Sequence, residues 1–367
     1  MKEANLQILI YGAGAYGRQA IHNAKKYNNI EIVGVADSSK EGDFCGYSIT
    51  HLDKDDISSD ITVVISLADK KSVVDLYCRL KKLGWTKIYY FLGKTKCFGD
   101  SFLDDECIIC DEDFEDELLY AEMHVVDFCN LNCKGCTHFA PLFEKEFPDI
   151  QKCMDDVRNV IKLVANLRIL ALMGGEPFLN LDIESYITEI RNILPNSELQ
   201  IVTNGLLMPS LEDRTLQCIA DNRLTVIISE YLPTHNIIEK VVHRLNTFEI
   251  DYTIRPFDKK CRFYKTLSLS CNSRYPHKCI SSGCVNIWRG KIACCPTLMY
   301  IEKFNRQFNE KLPSTGIYEI KKIKERGREF VKNLYKDVPL CNHCVDAMID
   351  WQPCSRELSI NDFAWSD

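Results

Sequence analysis

No stretch of the 367-residue chain approaches the ~20 consecutive apolar residues that a membrane-spanning helix needs, so no membrane partner is expected. The opening residues, Met-Lys-Glu-Ala-Asn-Leu, lack the charged and apolar regions of a secretion signal. No basic run stands out. The net charge is −7, with acidic residues concentrated between Asp104 and Glu117, and nucleic acid is not an expected partner. What the chain has in excess is cysteine, 19 residues in all. Without an export signal, so many thiols point to a reducing cytoplasm, where they serve metals and catalysis instead of disulfides. An apolar fraction of 46% suffices for packed cores, and the length suits roughly two to three domains.

Residues 1–100 alternate strand-like and helix-like patterns: strands at Leu6 to Tyr11, Ile30 to Ala36, Ile61 to Ser66 and Lys87 to Phe91, and helices from Gly12 to about Tyr27 and from Lys71 to Leu83. This rhythm predicts an α/β fold with a parallel sheet. Gly12, Gly14 and Gly17 form G-x-G-x-x-G between a strand and a helix, and Asp37 falls twenty residues after Gly17. Such a turn exposes amide N–H groups at a positive helix end, which suits a phosphate. The segment resembles the small Rossmann-like nucleotide-sugar-binding domains attached to glycan-modifying enzymes, which implies a nucleotide or nucleotide-sugar ligand. NAD and a purely structural role remain open, because there is room for only one mononucleotide half. Residues 101–117, with Cys107 and Cys110, read as a solvated acidic linker.

From 118 to about 262 the alternation resumes. Strands are expected at Tyr120 to Val126, Leu167 to Met173, Leu199 to Val202, Leu224 to Ser229 and Glu249 to Ile254, with helices between them. Cys129, Cys133 and Cys136 follow the first strand, three and then two residues apart. Four thiolates usually complete a [4Fe–4S] centre. Three on one loop leave an iron with an open position, although a zinc knuckle uses similar spacing. Gly174-Gly175-Glu176-Pro177 follows the second strand and Thr203-Asn204-Gly205 the third. In this order the motifs resemble the radical S-adenosylmethionine (SAM) enzymes. The resemblance implies a partial (β/α)6 TIM-type barrel with SAM chelated at the open iron and split reductively to a 5′-deoxyadenosyl radical. It also implies that Gly174, Gly175, Glu176 and Pro177 meet the SAM amino group, with Asn204, Ser229 and Arg255 as further contacts at strand ends. The family usually has an aromatic residue just before the third cysteine, near the adenine. Gly135 stands there, and Phe139 is the expected substitute.

In residues 263–367, Cys279-x10-Gly290-x4-Cys295 is followed by Cys341-x2-Cys344. Gly290 suits a hairpin between Val285 to Trp288 and Lys291 to Ala293. The spacing resembles the twitch domain, the shorter relative of the SPASM domain, which implies one auxiliary [4Fe–4S] cluster. A zinc ribbon on the same thiols is the alternative. Cys284 and Cys294 compete for ligand places, and Cys261, Cys271 and Cys354 stay unassigned.

A fully ligated second cluster suits electron transfer and so a net oxidation, as in the twitch-bearing aminocyclitol dehydrogenases of the butirosin-pathway type. The leading expectation is therefore dehydrogenation, epimerisation or dehydration of a carbohydrate or nucleotide-linked sugar, with a flavodoxin or ferredoxin as electron donor. A peptide-crosslinking maturase, a maturase oxidising a Cys or Ser of a partner protein, and an iron–sulfur redox sensor are the competing readings. No general base or other catalytic side chain is legible.

Overall fold

The structure, a computed structural model, describes residues 6–52, 57–93, 101–255, 262–271, 279, 281 and 283–366. The N-terminal residues 1–5 and Cys261 therefore lie outside the described residues. The chain divides into two compact units, Met1–Glu115 and Asp116–Asp367.

In the first unit, β1 (Leu6–Tyr11), α1 (Ala15–Ala24), β2 (Ile30–Ala36), β3 (Asp43–Phe44), β4 (Tyr47–Thr50), β5 (Thr62–Ile65), α2 (Lys70–Lys82), β6 (Ile88–Phe91), α3 (Phe102–Glu106) and β7 (Cys107–Ile109) follow in order. The sheet order is β3-β4-β2-β1-β5-β6-β7. Strands β4, β2, β1, β5 and β6 are parallel, and β3 and β7 close the edges antiparallel. Apolar runs such as Thr62–Ile65 are buried throughout, as expected of parallel strands covered on both faces. Asp69 caps α2 by accepting from the Lys71 N–H.

The expected linker is a correction. Ser101 caps α3, whose Phe102 is fully buried, and β7 pairs with β6 through Tyr89–Ile109 and Phe91–Cys107. Cys107 and Cys110 are buried, not solvated. The acidic composition misleads because Asp104 and Asp105 occupy a first helical turn, where negative charge is favourable, and Glu106 is buried against Asn23 and Tyr27.

The second unit runs β8 (Leu118–Val126), α4 (Ile150–Val160), β9 (Leu167–Gly174), α5 (Ile183–Ile193), β10 (Glu198–Thr203), α6 (Asp213–Asp221), β11 (Thr225–Ser229), α7 (Leu232–His235), α8 (Ile238–Thr247), β12 (Tyr252–Arg255), β13 (Arg262–Tyr264) and β14 (Leu267–Ser268). It continues with β15 (Val285–Trp288), β16 (Lys291–Ala293), α9 (Pro296–Phe308), β17 (Tyr318–Glu319), α10 (Gly327–Leu334), β18 (Met348–Asp350) and β19 (Ala364–Trp365). The main sheet is ordered β12-β11-β10-β9-β8-β15-β16-β17. Strands β8 to β12 are parallel neighbours in sequence order, joined by crossover helices.

The expected hairpin forms at β15–β16, with Gly290 in the left-handed region at φ +78°. It does not belong to a separate sheet. β15 joins the outer edge of β8 as a sixth parallel strand, so the strands do not wind in simple sequence order. One apolar core spans both regions, from Val157 on α4 to Phe304 on α9. Among the described residues no helix is long and apolar enough to cross a membrane.

Candidate functional site

The site is built where β8, β9 and β10 end. After Val126 the chain turns into the three-cysteine loop, and Cys133 and Cys136 sit in the tight turns that Asn132 (φ +46°) and Gly135 (φ +81°) allow. The three thiols feel one another. Burial pushes the Cys133 thiol up, and Cys136, Cys129 and Cys354 push it further. Cys129 rises to about 12, chiefly by burial. Donors nevertheless point at all three sulfurs. Leu131 N–H and the Asn204 side-chain amide reach Cys129 at 3.5 and 3.8 Å, and the Trp351 indole N–H reaches Cys133 at 3.1 Å. The backbone N–H groups of His138, Phe139 and Ala140 serve Cys136.

Soft thiols with N–H donors directed at the sulfurs are the chemistry an iron–sulfur cluster requires, so the residues present fit that group. Among the described residues no three Cys, His, Asp or Glu side chains converge on a single ion. A cubane asks for a different spacing, since each thiolate binds its own iron.

The Gly174–Pro177 segment packs directly under this loop. Gly175 N–H donates to Val126 O and Glu176 N–H to Phe128 O. A Cβ on Gly174 would meet Val126 O at 1.8 Å, and one on Gly175 would meet Phe128 O at 1.9 Å. The glycines thus admit the neighbouring strand's backbone. Glu176 is fully buried, and burial raises its carboxyl to about 7. Its oxygens already accept from Thr203 Oγ1 (2.7 Å), Phe178 N–H (3.2 Å) and Asn204 N–H (2.8 Å), so it ties β9 to β10. Asn204 also donates to Asn130 at 2.7 Å. Pro177 begins the single helical turn behind Glu176.

Phe139 requires correction. It is 1% exposed, with its backbone at φ +49°, and its ring packs between Phe304 and Phe363 at 5.4 and 5.8 Å. No face is left for an adenine. Gly135 cannot supply one either, because a Cβ there would stand 3.1 Å from both Tyr264 O and the Lys265 side chain.

Ser229 and Arg255 end paired strands β11 and β12. Arg255 is solvent-exposed at its strand end, with Tyr120, Cys284, Glu122 and Tyr231 as its charge neighbours. Sequence reasoning missed the polar set behind it. Tyr120 and Asn286 donate to Glu122 at 3.0 and 2.9 Å, and His138 Nε2 lies 3.4 Å from the same carboxylate. Burial opposes the charge on Glu122, yet these partners hold it below the usual carboxylate range. Nearby, His124 pairs with buried Asp127 at 3.0 Å and stacks on Tyr300. His138, two residues past Cys136, was the one member within reach of a local signal.

The second cysteine group also comes together. Burial and the neighbouring Cys295, Cys341 and Cys279 thiols all raise Cys344. Cys295 heads α9, where its sulfur accepts from Leu298 N–H at 3.4 Å, with Cys294 beside it. Cys284 instead has Tyr120 and Arg255 as charge neighbours. Cys354, unassigned from sequence, lies beside the first loop: its N–H donates to Asn132 O at 2.7 Å.

In the first unit, Gly12 (φ +123°) and Gly17 make the tight turn, where a Cβ on Gly17 would meet Gly12 O at 1.8 Å. Gly14 is open to approach. Asp37 accepts from Ala13 N–H at 2.8 Å and from Ser39 and Lys40, so it braces the turn. A surface cavity of about 530 Å³ opens there, lined by Gly14, Arg18 and Lys40 among others.

Residues 123–249 match the radical SAM superfamily. The GTP 3′,8-cyclase of Alkaliphilus oremlandii (strain OhILAs) is 28% identical over 92 residues, covering 24% of this chain and 28% of that protein. The FeMo cofactor biosynthesis protein NifB of Klebsiella pneumoniae is 30% identical over 121 residues, covering 30% of this chain and 26% of NifB. The chain thus spans about a quarter of the length of these curated relatives. Among solved structures, BtrN in complex with AdoMet and 2-DOIA aligns with a TM-score of 0.38 at 13% identity, covering 62% of this chain and 93% of BtrN. Streptococcus suis SuiB bound to S-adenosylmethionine aligns with a TM-score of 0.30 at 16% identity, covering 36% and 32%. The likeness to the radical SAM superfamily thus lies in residues 123–249.

Proposed function

We propose that the chain is a radical SAM oxidoreductase that removes a hydrogen atom from a carbohydrate or nucleotide-linked sugar, leading to dehydrogenation, epimerisation or dehydration. One observation carries the reading: three thiols share the loop after β8, and the ends of β9 and β10 fold onto that loop. Cys129, Cys133 and Cys136 would hold a [4Fe–4S] cluster with SAM at its open iron. When bound, that pair supplies a carbon-centred radical able to take hydrogen from an unactivated C–H bond. Gly174, Gly175 and Glu176 fix the loop's footing, and Asn204 reaches Cys129. Ser229 and Arg255 offer a hydroxyl and a cation at adjacent strand ends for the polar groups of SAM or substrate.

Cys279, Cys295, Cys341 and Cys344 would hold an auxiliary [4Fe–4S] cluster with four protein ligands, which suits electron transfer and favours a net oxidation. The polar set of Tyr120, Glu122, Asn286 and Arg255 favours a substrate bearing hydroxyl groups over an apolar one. In the first unit the turn at Gly12–Gly17 lies where β1 separates β2 from β5, the switch point at which open α/β sheets take nucleotides. A flavodoxin or ferredoxin in the cytoplasm would provide the electrons.

The test is anaerobic reconstitution followed by SAM and dithionite. The expected result is 5′-deoxyadenosine release, faster when a nucleotide-linked sugar is added. Release that only a peptide accelerates would overturn the substrate class, and no release would overturn the enzyme reading.

A further inference from the structure

The segment after β18 is folded against the three-cysteine loop although it is more than two hundred residues away in sequence. Lys134 N–H donates to Gln352 O at 2.9 Å, Cys354 N–H to Asn132 O at 2.7 Å, and Gly135 N–H to Asp362 O at 2.6 Å. Cys133 and Pro353 form a β-bridge. Two devices anchor the segment from behind. β18 pairs with β13, and Asp362 is 1% exposed in a capping box with Ser359. The backbone ladder fixes the place of one side chain. Trp351 is half-buried, stacks on Tyr231 (centroids 6.1 Å apart, planes at 25°), and aims its only donor at Cys133 Sγ from 3.1 Å.

An indole N–H has no acceptor function, and here its acceptor is a sulfur that carries negative charge when it ligates iron. Hydrogen bonds to cluster sulfurs stabilise the more electron-rich state, so they raise the reduction potential. We infer that Trp351 is a positioning residue that eases one-electron reduction of the cluster on Cys129, Cys133 and Cys136 by donating a hydrogen bond to Cys133. This rests on the cluster reading above. The reduction itself takes one electron from dithionite, with no bond made or broken.

The experiment is a redox titration of the anaerobically reconstituted full chain, followed by electron paramagnetic resonance. The loop cluster is recognised as the signal that SAM perturbs. Trp351→Phe keeps a stacking ring and removes the N–H. At a given poise its ratio of reduced to oxidised cluster should fall by roughly threefold to tenfold, tenfold corresponding to 59 mV for one electron. Trp365→Phe removes an indole N–H bonded to the Lys265 carbonyl in the same region, and it should leave the ratio unchanged. Equal ratios in wild type and Trp351→Phe, or an equal fall in Trp365→Phe, would overturn the inference. Should Trp351→Phe fail to take up iron, wild type carrying tryptophan labelled with 15N at the indole decides. A 15N coupling to the SAM-sensitive signal is expected, and none would overturn the proposal. A wild type with no SAM-sensitive signal would instead defeat the cluster reading itself.

Discussion

Glu176 is a carboxylate at zero exposure beneath the cysteine loop, and its environment makes a prediction with a definite sign. Burial raises its folded-state value from 4.5 to about 7, against the three donors that favour the ionised form. At 1.36 kcal/mol per pH unit that gap is worth about 3 kcal/mol. A raised carboxyl means that the folded state holds the proton more tightly than the unfolded chain. Its contribution to stability is therefore present below the unfolded value and is lost as pH rises toward the folded one.

Glu176→Gln removes the titration. It keeps one oxygen for Thr203 and Phe178 but turns an amide N–H toward the Asn204 N–H, a mismatch costing about 1–3 kcal/mol at any pH. The wild type should exceed the variant in stability at pH 5, and the advantage should shrink by up to about 3 kcal/mol by pH 8. The assay is urea unfolding of iron-free protein at pH 5, 6, 7 and 8, with tryptophan fluorescence as probe, three of the four tryptophans lying in the second unit. Other titrating groups are common to both proteins and cancel in the difference. An advantage that is flat across this range, or that grows with pH, refutes the reasoning.

Further outcomes follow from the same structure. Gly175→Ala would put a methyl 1.9 Å from Phe128 O, so at least about 3 kcal/mol of stability and most iron uptake should be lost; thermal melting and iron assay check this. Cys129→Ser and Cys344→Ser should each lower reconstituted iron from about eight to about four per chain, and iron near four with zinc in the wild type would remove the auxiliary cluster. Residues 1–115 should melt cooperatively on their own by circular dichroism, whereas residues 1–100, which lack α3 and β7, should not.

Local pattern made much of this legible. β1, β2, α5, β15 and β16 fall where apolar runs and glycine punctuation put them. Thiols on one loop could likewise be read as one group. What escaped depended on partners distant in sequence. β15 shows its strand character locally, yet nothing in Val285–Trp288 says that it pairs with β8, and Asn286 meets Glu122 across 164 positions. Trp351 reaches Cys133 across 218. The segment 101–117 was misread because charge stood for exposure, while Glu106 is buried among its partners. Phe139 was misassigned because proximity to Cys136 says nothing about direction, and the left-handed turn sends its ring into the core. The β3–β4 hairpin was missed for a simpler reason: its first strand has two residues, too few to show a period.

On the proposed function one iron of the cluster on Cys129, Cys133 and Cys136 lacks a protein sulfur, with the Cys354 thiol as the neighbouring candidate for that place. Electron–nuclear double resonance of the dithionite-reduced protein, with SAM labelled with 15N at its amino group, addresses it directly. A 15N coupling to the cluster, retained in Cys354→Ala, is the predicted result. A spectrum indifferent to labelled SAM in the wild type, showing coupling only once Cys354 is removed, would contradict the account by placing a fourth thiolate on that iron.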